Sequence, residues 1–168
     1  MTTKEYDFRI RALTEAFYHT YPDPPFKEIL KKKRRAYNCL LLPTQDTFFI
    51  CIPYRTEIAH PYAYHFTSSL RSREHKSGLD YTKMVLIRKK EFIADSDTVI
   101  DQDEYVETRN NIDRIQKEAF QFLDDYRNHQ KGVILLHKSE FERRYKFSPL
   151  KYFHKEMEIE DASKELRQ

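Results

Sequence analysis

Apolar side chains recur at helical spacing in the first part of the chain. The residues from Thr3 to Thr20 place Tyr, Ile, Leu and Phe on one face of a predicted helix. Prolines at positions 22, 24 and 25 interrupt this pattern, because proline lacks a backbone donor and clashes with the preceding turn. The residues from Asp23 to Leu30 then predict a second helix, with Asp23 as its N-cap.

The strongest helical pattern lies in the second half of the chain, from Asp101 to Arg127. Apolar residues at mainly helical spacing give this segment one apolar face. Asp101 and Glu104 fit a capping box at its start. A short helix is predicted over Ser139–Tyr145 with Ser139 as its cap. Residues 156–168 form a charged tail whose last residues are expected to fray.

Two β-prone apolar runs predict an antiparallel hairpin. Tyr37–Leu42 and Thr47–Ile52 are separated by a turn-like Pro-Thr-Gln-Asp sequence. Residues 53–78 predict irregular structure, whereas Tyr81–Arg88 predicts a third strand and Glu91–Ala94 a short fourth. This order of elements predicts an α+β fold with a small antiparallel sheet. The length favours one domain over residues 1–168.

The composition excludes several classes of protein. With 2 glycines the chain lacks the glycine-rich loops of P-loop and dinucleotide-binding proteins. Its 12 Tyr and 12 Phe are not typical of a disordered chain. It has no apolar run long enough to cross a membrane and no export signal. We therefore expect a cytoplasmic location, in which Cys39 and Cys51 are buried thiols rather than a cross-strand disulfide.

The basic residues are concentrated between Lys31 and Lys90. This segment has 13 Lys and Arg against 4 Asp and Glu, a local balance of +9. The whole chain has a net charge of +3, so the remaining residues sum to −6. Such asymmetry favours a polyanionic partner for the basic segment, although charges that intermix in the folded chain would also be consistent with it.

The 7 histidines lack metal-binding spacing. No two of them are four residues apart around a Glu, and the two cysteines lack zinc spacing. The acidic residues at 95, 97, 101 and 103 could hold magnesium through carboxylates. A solvated loop and a helix start explain them more simply, and we expect no metal and no cofactor.

A first candidate site follows the second predicted strand directly. Arg55 offers a fork of donors for a phosphate group. Thr56 offers a hydroxyl, and His60 offers an imidazole, the type of side chain most suited to proton transfer at neutral pH. These groups together suit phosphodiester chemistry. The alternative is a polar surface loop in which Thr56 caps a helix.

Basic, hydroxyl and aromatic residues interleave in the segment from Tyr62 to Ser77. This mixture suits single-stranded nucleic acid, with bases stacked on rings and phosphates held by cations. A mobile loop, or a regulatory loop phosphorylated on serine, would have the same composition.

Three motifs follow one another along the chain. They are Arg35-Ala-Tyr37-Asn38, then Phe49-Ile-Cys-Ile-Pro53-Tyr-Arg55-Thr56 with His60 after it, then Ser77-Gly-Leu-Asp80-Tyr81-Thr-Lys83. In their order and spacing these motifs resemble the RNA-cutting toxins of type III toxin–antitoxin systems, and the resemblance extends from about residue 35 to residue 153. It is closest to the TenpN group, with ToxN, CptN and AbiQ as more distant relatives.

The resemblance implies a fold, an activity and a partner. The fold would be α+β with a small, strongly twisted antiparallel sheet flanked by helices, ToxN-like and related to the Kid/MazF toxins. The activity would be metal-independent cutting of cellular or phage RNA, in phage defence by abortive infection. The partner would be a repetitive antitoxin RNA that the toxin itself cuts into repeat units. Toxin and units would assemble into a closed ring-like complex that blocks the active site.

The resemblance also implies roles for individual residues. The RNA's own 2′-hydroxyl would attack the adjacent phosphate and leave a 2′,3′-cyclic phosphate. Arg35 and Arg55 would stabilise the charge on that phosphate, and Thr56 would hydrogen-bond the phosphate or the 2′-hydroxyl. His60 or His65 would transfer protons. The relatives have a Thr/Ser pair followed by Lys at this turn, whereas here a single Thr follows Arg55.

The expected RNA-binding residues are spread along the basic segment and its aromatic neighbours. They are Lys32, Lys33, Arg34, Tyr37, Tyr54, Tyr64, Ser68, Ser69, Arg71, Arg73, Lys76 and Lys83.

Two other functions are consistent with the same sequence. A non-catalytic RNA-binding module would share the basic segment and the aromatic residues. A protein–protein adaptor would use the amphipathic helix predicted from residue 101 to residue 127, although the core of the protein explains one apolar face equally well.

Overall fold

The computed structural model describes residues 8–31 and 37–160. Four expected site residues, Lys32, Lys33, Arg34 and Arg35, lie outside the described residues. The same is true of residues 3–7 of the first predicted helix and residues 161–168 of the predicted tail. The architecture is α+β with a six-stranded antiparallel sheet, and the coarse fold class predicted from the sequence is confirmed.

Short strands form the sheet: β1 (Arg9–Ala12), β2 (Asn38–Pro43), β3 (Phe49–Arg55), β4 (Ala63–His65), β5 (Gly78–Asp80) and β6 (Val85–Ile87). Their order across the sheet is β1-β2-β3-β5-β4, and β6 pairs with β3. Each of these pairings is antiparallel. The long strand β3 therefore connects the two halves of the sheet, with β2 and β6 beside its first part and β5 beside its end.

The helices of the described residues are α1 (Glu15–Thr20), α2 (Leu70–His75), α3 (Gln102–Asn110), α4 (Ile112–Gln130) and α5 (Lys138–Tyr145). Short 3-10 turns cover Tyr81–Lys83, Lys90–Phe92 and Pro149–Tyr152. Among the described residues, no helix is both long enough and apolar enough to cross a membrane.

The predicted hairpin is confirmed as β2 and β3. Leu40 pairs with Ile52 at its centre, and both side chains are fully buried. Strand β3 extends beyond the predicted end to Arg55, which brings that arginine to β5. Cys39 and Cys51 are buried free thiols, as expected.

One face of the sheet packs against α3. Tyr54, Leu79 and Tyr64 lie in register across β3, β5 and β4, and all three are buried. The Tyr54 hydroxyl lies 3.0 Å from the Thr108 hydroxyl, and the Tyr64 hydroxyl donates to Glu107 at 2.9 Å. Since side chains alternate between the two faces of a strand, the residues that flank this row point away from α3.

The helix predicted over Asp101–Arg127 is two helices. Asp101 caps α3 as predicted, because its side chain accepts a hydrogen bond from the backbone N–H of Glu104. The first helix ends at Asn111, whose side-chain amide donates to the carbonyl oxygen of Glu107. The apolar face of α4 is buried in the core as the pattern predicts.

The prediction of a helix over residues 3–20 was wrong for residues 9–12, which form β1. Ile10 of this strand is buried and pairs with Leu40 of β2. Tertiary pairing with an apolar neighbouring strand overrides weak local propensity. Among residues 8–20, the helical residues are those of α1.

The helix predicted from Asp23 to Leu30 was also wrong, since residues 23–30 form turns. Two consecutive prolines, Pro24 and Pro25, disfavour helical dihedral angles in the residues before them. The backbone closes instead through a hydrogen bond from Phe26 N–H to the carbonyl oxygen of Pro22.

The strand predicted over Tyr81–Arg88 is shorter than expected. Residues 81–83 form a 3-10 turn because the Asp80 side chain accepts a hydrogen bond from Thr82 N–H, and β6 follows. The predicted fourth strand is the 3-10 turn Lys90–Phe92, after which Ile93 pairs with Leu13.

Two smaller predictions also needed correction. Residues 53–78, predicted to be irregular, contain β4 and α2. The short helix near residue 139 is confirmed as α5, but its N-cap is His137 rather than Ser139.

Candidate functional site

The buried carboxylate of Asp80 is the centre of the candidate site. Its Oδ2 accepts a hydrogen bond from Arg55 Nη1 at 2.6 Å. Its Oδ1 accepts from the Thr82 hydroxyl at 2.6 Å and lies 3.2 Å from His60 Nε2. The Asp80 side chain is 0% exposed, whereas that of Arg55 is 28% exposed and that of His60 is 33% exposed. The core therefore anchors a cation and an imidazole that both reach the surface.

Strand pairing brings these residues together. Arg55, the last residue of β3, pairs with Gly78 of β5, and Asp80 follows two residues later on the same face. His60 comes from the loop between β3 and β4. Arg55 and His60, two of the three catalytic residues predicted near the end of the second strand, therefore contact the same buried carboxylate.

A second row of the sheet places His65 beside Arg55. Gly78 pairs with Arg55 on one side and with His65 on the other. Two strand spacings separate the outer residues of this row, about 10 Å between their Cα atoms. The glycine between them is buried, and the backbone of Tyr64 occupies the space that a side chain at this position would need, so β4 and β5 pack closely here.

His60 has a defined tautomer. Its Nδ1 accepts a hydrogen bond from the backbone N–H of Tyr62 at 3.1 Å. A neutral imidazole that accepts at Nδ1 carries its proton on Nε2, which faces Asp80. Both ring nitrogens of His60 are therefore engaged within the protein.

His65 has a ring nitrogen open to solvent. Its Nε2 lies 2.9 Å from the carbonyl oxygen of His60, an acceptor, so Nε2 carries the proton. The side chain is exposed at the end of β4, and no described residue hydrogen-bonds to its Nδ1. The two histidines are linked through this contact but differ in chemistry, since His65 has a free acceptor nitrogen.

Thr56 lies at a sharp turn that follows Arg55. The next residue, Glu57, has a positive φ of 57°, which is rare for a residue other than glycine. Its backbone N–H donates to the carbonyl oxygen of His75 at 2.6 Å, and its carboxylate lies 3.3 Å from the His75 ring. These contacts fix the turn and leave Thr56 partly exposed next to Arg55.

Lys83 adds a second cation close to Arg55. Its Nζ donates to the backbone carbonyl oxygens of Phe147 at 2.7 Å and Glu28 at 3.2 Å. Burial and the neighbouring charge of Arg55 lower the pKa of Lys83. The ammonium group is therefore held in place by neutral acceptors rather than by a carboxylate.

Glu28, whose backbone carbonyl oxygen accepts one of the Lys83 hydrogen bonds, is itself held by its side chain. Its buried carboxylate accepts hydrogen bonds from Lys151 Nζ at 2.8 Å and from the Tyr152 hydroxyl. Burial opposes ionisation of Glu28, but these hydrogen bonds outweigh it and lower its pKa to about 2.

The loop after β4 is tied to α3 by a buried carboxylate that the sequence did not single out. Glu107 accepts hydrogen bonds from the backbone N–H groups of Thr67 and Ser68, at 3.0 and 2.9 Å, and from the Ser68 hydroxyl at 2.6 Å. Burial opposes ionisation here as well, but hydrogen bonds led by that of Ser68 lower the pKa of Glu107.

Glu104, one helical turn earlier, holds both ends of α2. Its Oε2 accepts from the Ser69 hydroxyl at 2.9 Å and from the Ser77 hydroxyl at 3.0 Å. The Glu104 and Glu107 carboxylates therefore use several hydroxyls that composition alone assigned to RNA.

Three predicted RNA-binding residues belong to this scaffold and were assigned wrongly. Tyr54 and Tyr64 are buried against α3, and Ser69 is 0% exposed and caps α2. The exposed fractions are 5% for Tyr54, 6% for Tyr64 and 0% for Ser69, so these residues offer little surface to a base or a phosphate. Ser68 is exposed, but its hydroxyl is engaged by Glu107.

The other predicted RNA-binding residues of the described chain reach the surface. Arg71, Tyr37 and Lys83 are partly exposed, and Arg73 and Lys76 are exposed. Arg71 and Arg73 lie on α2, and Lys76 is its C-cap. Contacts of these residues with RNA remain predictions.

Asp80 was missed as a site residue although it lies in one of the quoted motifs. A single acidic residue between a strand and a turn is expected to be exposed. Only the pairing of β3 with β5 shows that Asp80 is buried under Arg55. The spacing of Glu104 and Glu107 was a weak indication that they act together, because residues three apart share a helix face.

No set of three or more His, Cys, Asp or Glu side chains in residues 8–31 and 37–160 is arranged to hold a metal ion. Comparison of the chain with protein-family models, with curated proteins and with solved structures found no match.

Proposed function

We propose that the protein is a metal-independent endoribonuclease, the toxin of a type III toxin–antitoxin system. The observation that carries the proposal is the row in which Arg55 and His65 flank Gly78, with Arg55 anchored to buried Asp80. A fixed cation and a free imidazole nitrogen on one face of a sheet are what a phosphodiester needs for cleavage without an external nucleophile.

The reaction would use the RNA's own 2′-hydroxyl. Its oxygen forms a bond to the adjacent phosphorus, and the bond from that phosphorus to the 5′-oxygen breaks. One proton leaves the 2′-hydroxyl and one reaches the 5′-oxygen, so the products are a 2′,3′-cyclic phosphate and a 5′-hydroxyl. The protein needs to orient the groups, move these protons and stabilise charge.

Arg55 suits charge stabilisation. Its Nη1 is bound to Asp80 at 2.6 Å, which leaves further N–H groups of its planar fork for phosphate oxygens. Lys83, close by, adds positive charge. Thr56, partly exposed beside Arg55, supplies a hydroxyl for a phosphate oxygen or the 2′-hydroxyl.

His65 suits proton transfer better than His60. The free Nδ1 of His65 can accept a proton in the neutral form, whereas both nitrogens of His60 are held by Tyr62 N–H and Asp80. We therefore assign the His60 side chain a positioning role, in which its contacts with Tyr62 N–H and Asp80 fix the residue whose carbonyl oxygen holds His65. This narrows the two alternatives left by the sequence.

The wider role rests on the resemblance of the three sequence motifs to type III toxins. It includes a ToxN-like, strongly twisted sheet, a repetitive antitoxin RNA cut into repeat units, a ring-like complex that blocks the site, and cytoplasmic action against cellular or phage RNA. Arg35 would join the site from the segment before β2.

The experiment compares RNA cutting and growth arrest by the wild type with those of Arg55→Ala and Thr56→Ala. Both variants should lose toxicity and cut RNA on the order of a hundredfold more slowly, with unchanged far-UV circular dichroism. Arg9→Ala, an exposed arginine of β1, is the control and should remain toxic.

Product ends give an independent test. Cut RNA should carry 5′-hydroxyl ends and cyclic phosphates, and chelation of divalent metals should leave the rate unchanged. Ends with 5′-phosphate would contradict the mechanism. A wild type that binds RNA but neither cuts it nor arrests growth would favour the non-catalytic RNA-binding module.

A further inference from the structure

An open cleft of about 930 Å³ lies beside the candidate site, between β4 and α4. Tyr62 and His65 line one wall, and Arg114 and Lys117 of α4 line the other. Its volume falls in the range of small-molecule pockets, roughly 300–1,000 Å³. His65 also lines a second pocket, together with His60 and Lys76. The His65 side chain therefore lies between two pockets.

The outer edge of β4 supplies backbone hydrogen-bonding groups to this cleft. Tyr62 accepts from Tyr81 N–H, and Phe66 N–H donates to Ser77, both toward β5. Because hydrogen-bonded pairs alternate in an antiparallel ladder, the N–H and C=O groups of Ala63 and His65 point to the opposite side. β4 is the last strand of the sheet, so these groups face the cleft unpaired.

The side chains of the cleft favour an anion with an aromatic group. The carboxylate of Glu118 is engaged by Tyr81 at 3.0 Å and by Arg114 at 3.2 Å. That of Asp125 is engaged by Arg144 at 2.9 Å. Each of these carboxylates is matched by an arginine, so the unmatched charge of the cleft is the positive charge of Lys117, which has no ion pair among the described residues.

Tyr62 provides a ring surface at the end of the cleft nearest the site. Its ring lies nearly parallel to that of His60, with centroids 6.1 Å apart and planes 25° apart. The guanidinium of Arg144 lies 5.8 Å from the centre of the Tyr62 ring. The side chain is partly exposed, which a base needs in order to pack against the ring.

We propose that the β4–α4 cleft binds one unpaired nucleotide next to the phosphodiester that lies at His65. Its base packs on Tyr62 and hydrogen-bonds to the outer edge of β4, and its phosphate lies on Arg114 and Lys117. This inference rests on the proposed function, and it makes single-stranded RNA the substrate, since a paired base would present its hydrogen-bonding edge to its partner strand.

The test measures binding of a short single-stranded RNA of random sequence with 2′-O-methyl groups, which remove the nucleophile. Tyr62→Ala should raise the Kd on the order of tenfold, and Tyr62→Phe, which keeps the ring, should stay within about twofold. The double variant Arg114→Ala/Lys117→Ala should raise the Kd similarly and flatten its salt dependence.

Lys131→Ala/Lys138→Ala is the matched control, since it removes two exposed cations that do not line the cleft. It should bind as the wild type does. Thermal unfolding of each variant separates lost binding from lost folding, and an RNA duplex of the same length should bind more weakly than the single strand.

The outcomes separate this inference from the proposed nuclease. Unmodified RNA cut by the wild type, together with wild-type Kd values for the Tyr62→Ala and double variants, overturns the cleft alone. Equal losses in the control and the cleft variants do the same, because they indicate general charge attraction. If the cleft variants bind RNA more weakly than the wild type but the wild type never cuts RNA, the proposed nuclease alone is overturned. A wild type that binds no RNA overturns both.

Discussion

Arg55 and Asp80 form an ion pair of 2.6 Å in which the carboxylate is fully buried and the guanidinium reaches the surface. An isolated buried charge is costly. The carboxylate is nevertheless well satisfied, because it also accepts the Thr82 hydroxyl and faces His60. The pair therefore holds Arg55 in a fixed orientation while leaving part of its fork for a ligand, which is the preorganisation that charge stabilisation requires.

The Asp80→Asn variant tests this anchor. The amide keeps the size of the side chain but removes the charge that holds Arg55 and His60, so both groups should lose their fixed positions. We expect kcat for RNA to fall on the order of a hundredfold with a smaller change in KM. The free energy of unfolding should fall by about 1–3 kcal/mol, measured by urea unfolding.

Asp97→Asn is the control for Asp80→Asn. Asp97 forms a 2.8 Å ion pair with Arg11, but its side chain is 62% exposed. Exposed pairs contribute little, about 0–1 kcal/mol, so both rate and stability should stay near those of the wild type. Full activity in Asp80→Asn would show that Arg55 needs no buried anchor.

Variants of His65 and His60 should differ in the pH dependence of their rates of RNA cutting. His65→Ala should slow cutting by roughly 10²–10⁴-fold and remove one limb of the pH–rate profile, because a proton-transfer group is lost. Added imidazole should restore part of the rate. The measurement is the initial rate of RNA cutting over a range of pH, with unfolding followed in parallel.

His60→Gln is the companion variant. A positioning residue that is replaced by another hydrogen-bonding side chain should lower the rate without removing a limb of the profile, and imidazole should not restore it. If His60→Gln loses the limb and His65→Ala keeps it, the roles are reversed.

The sequence predicted the elements whose pattern is strong and local. The hairpin of β2 and β3 follows from two apolar runs around a turn, and the apolar face of α4 from its helical spacing. Residues 9–12 were misassigned because their strand depends on pairing with β2, which local spacing does not encode. Residues 23–30 form turns although Asp23 followed by two prolines is typical of a helix start, because a proline also disfavours helical dihedral angles in the residue before it.

The candidate site was predictable only in part. Arg55, Thr56 and His60 could be found because they follow a strong strand in sequence. Asp80 could not be placed, because its burial under Arg55 depends on the register of β3 with β5. The same limit explains the hydroxyls assigned to RNA, since Glu104 and Glu107 reach them across 27 to 39 residues of chain.

Gly78→Ala should destabilise the row that carries Arg55 and His65. A Cβ at this position would lie 2.3 Å from the carbonyl oxygen of Tyr64 and 3.3 Å from the Cα of His65. Both are backbone atoms in a paired strand, so relief requires β4 and β5 to move apart. We expect a loss of at least about 2 kcal/mol in the free energy of unfolding, together with slower cutting.

Gly132→Asn is the matched glycine variant for Gly78→Ala. Gly132 has a positive φ of 71°, and a Cβ there would meet nothing within 4 Å. Asn tolerates this conformation better than other side chains, so the cost should stay within about 1 kcal/mol. Wild-type stability of Gly78→Ala would mean that the strands have more freedom than the register implies.

Glu28 should make the protein lose stability in acid. Hydrogen bonds from Lys151 and Tyr152 overcome the effect of burial and lower the Glu28 pKa from 4.5 to about 2. Between these values the unfolded chain binds the proton more readily than the folded one, so the contribution of Glu28 is complete above about pH 5 and is lost as the pH falls toward about 2.

Urea unfolding at several pH values should show a smaller change in the free energy of unfolding for Glu28→Gln than for the wild type over this range. The exposed Glu15→Gln should follow the wild type. Parallel curves for the wild type and Glu28→Gln would mean that another carboxylate controls acid unfolding.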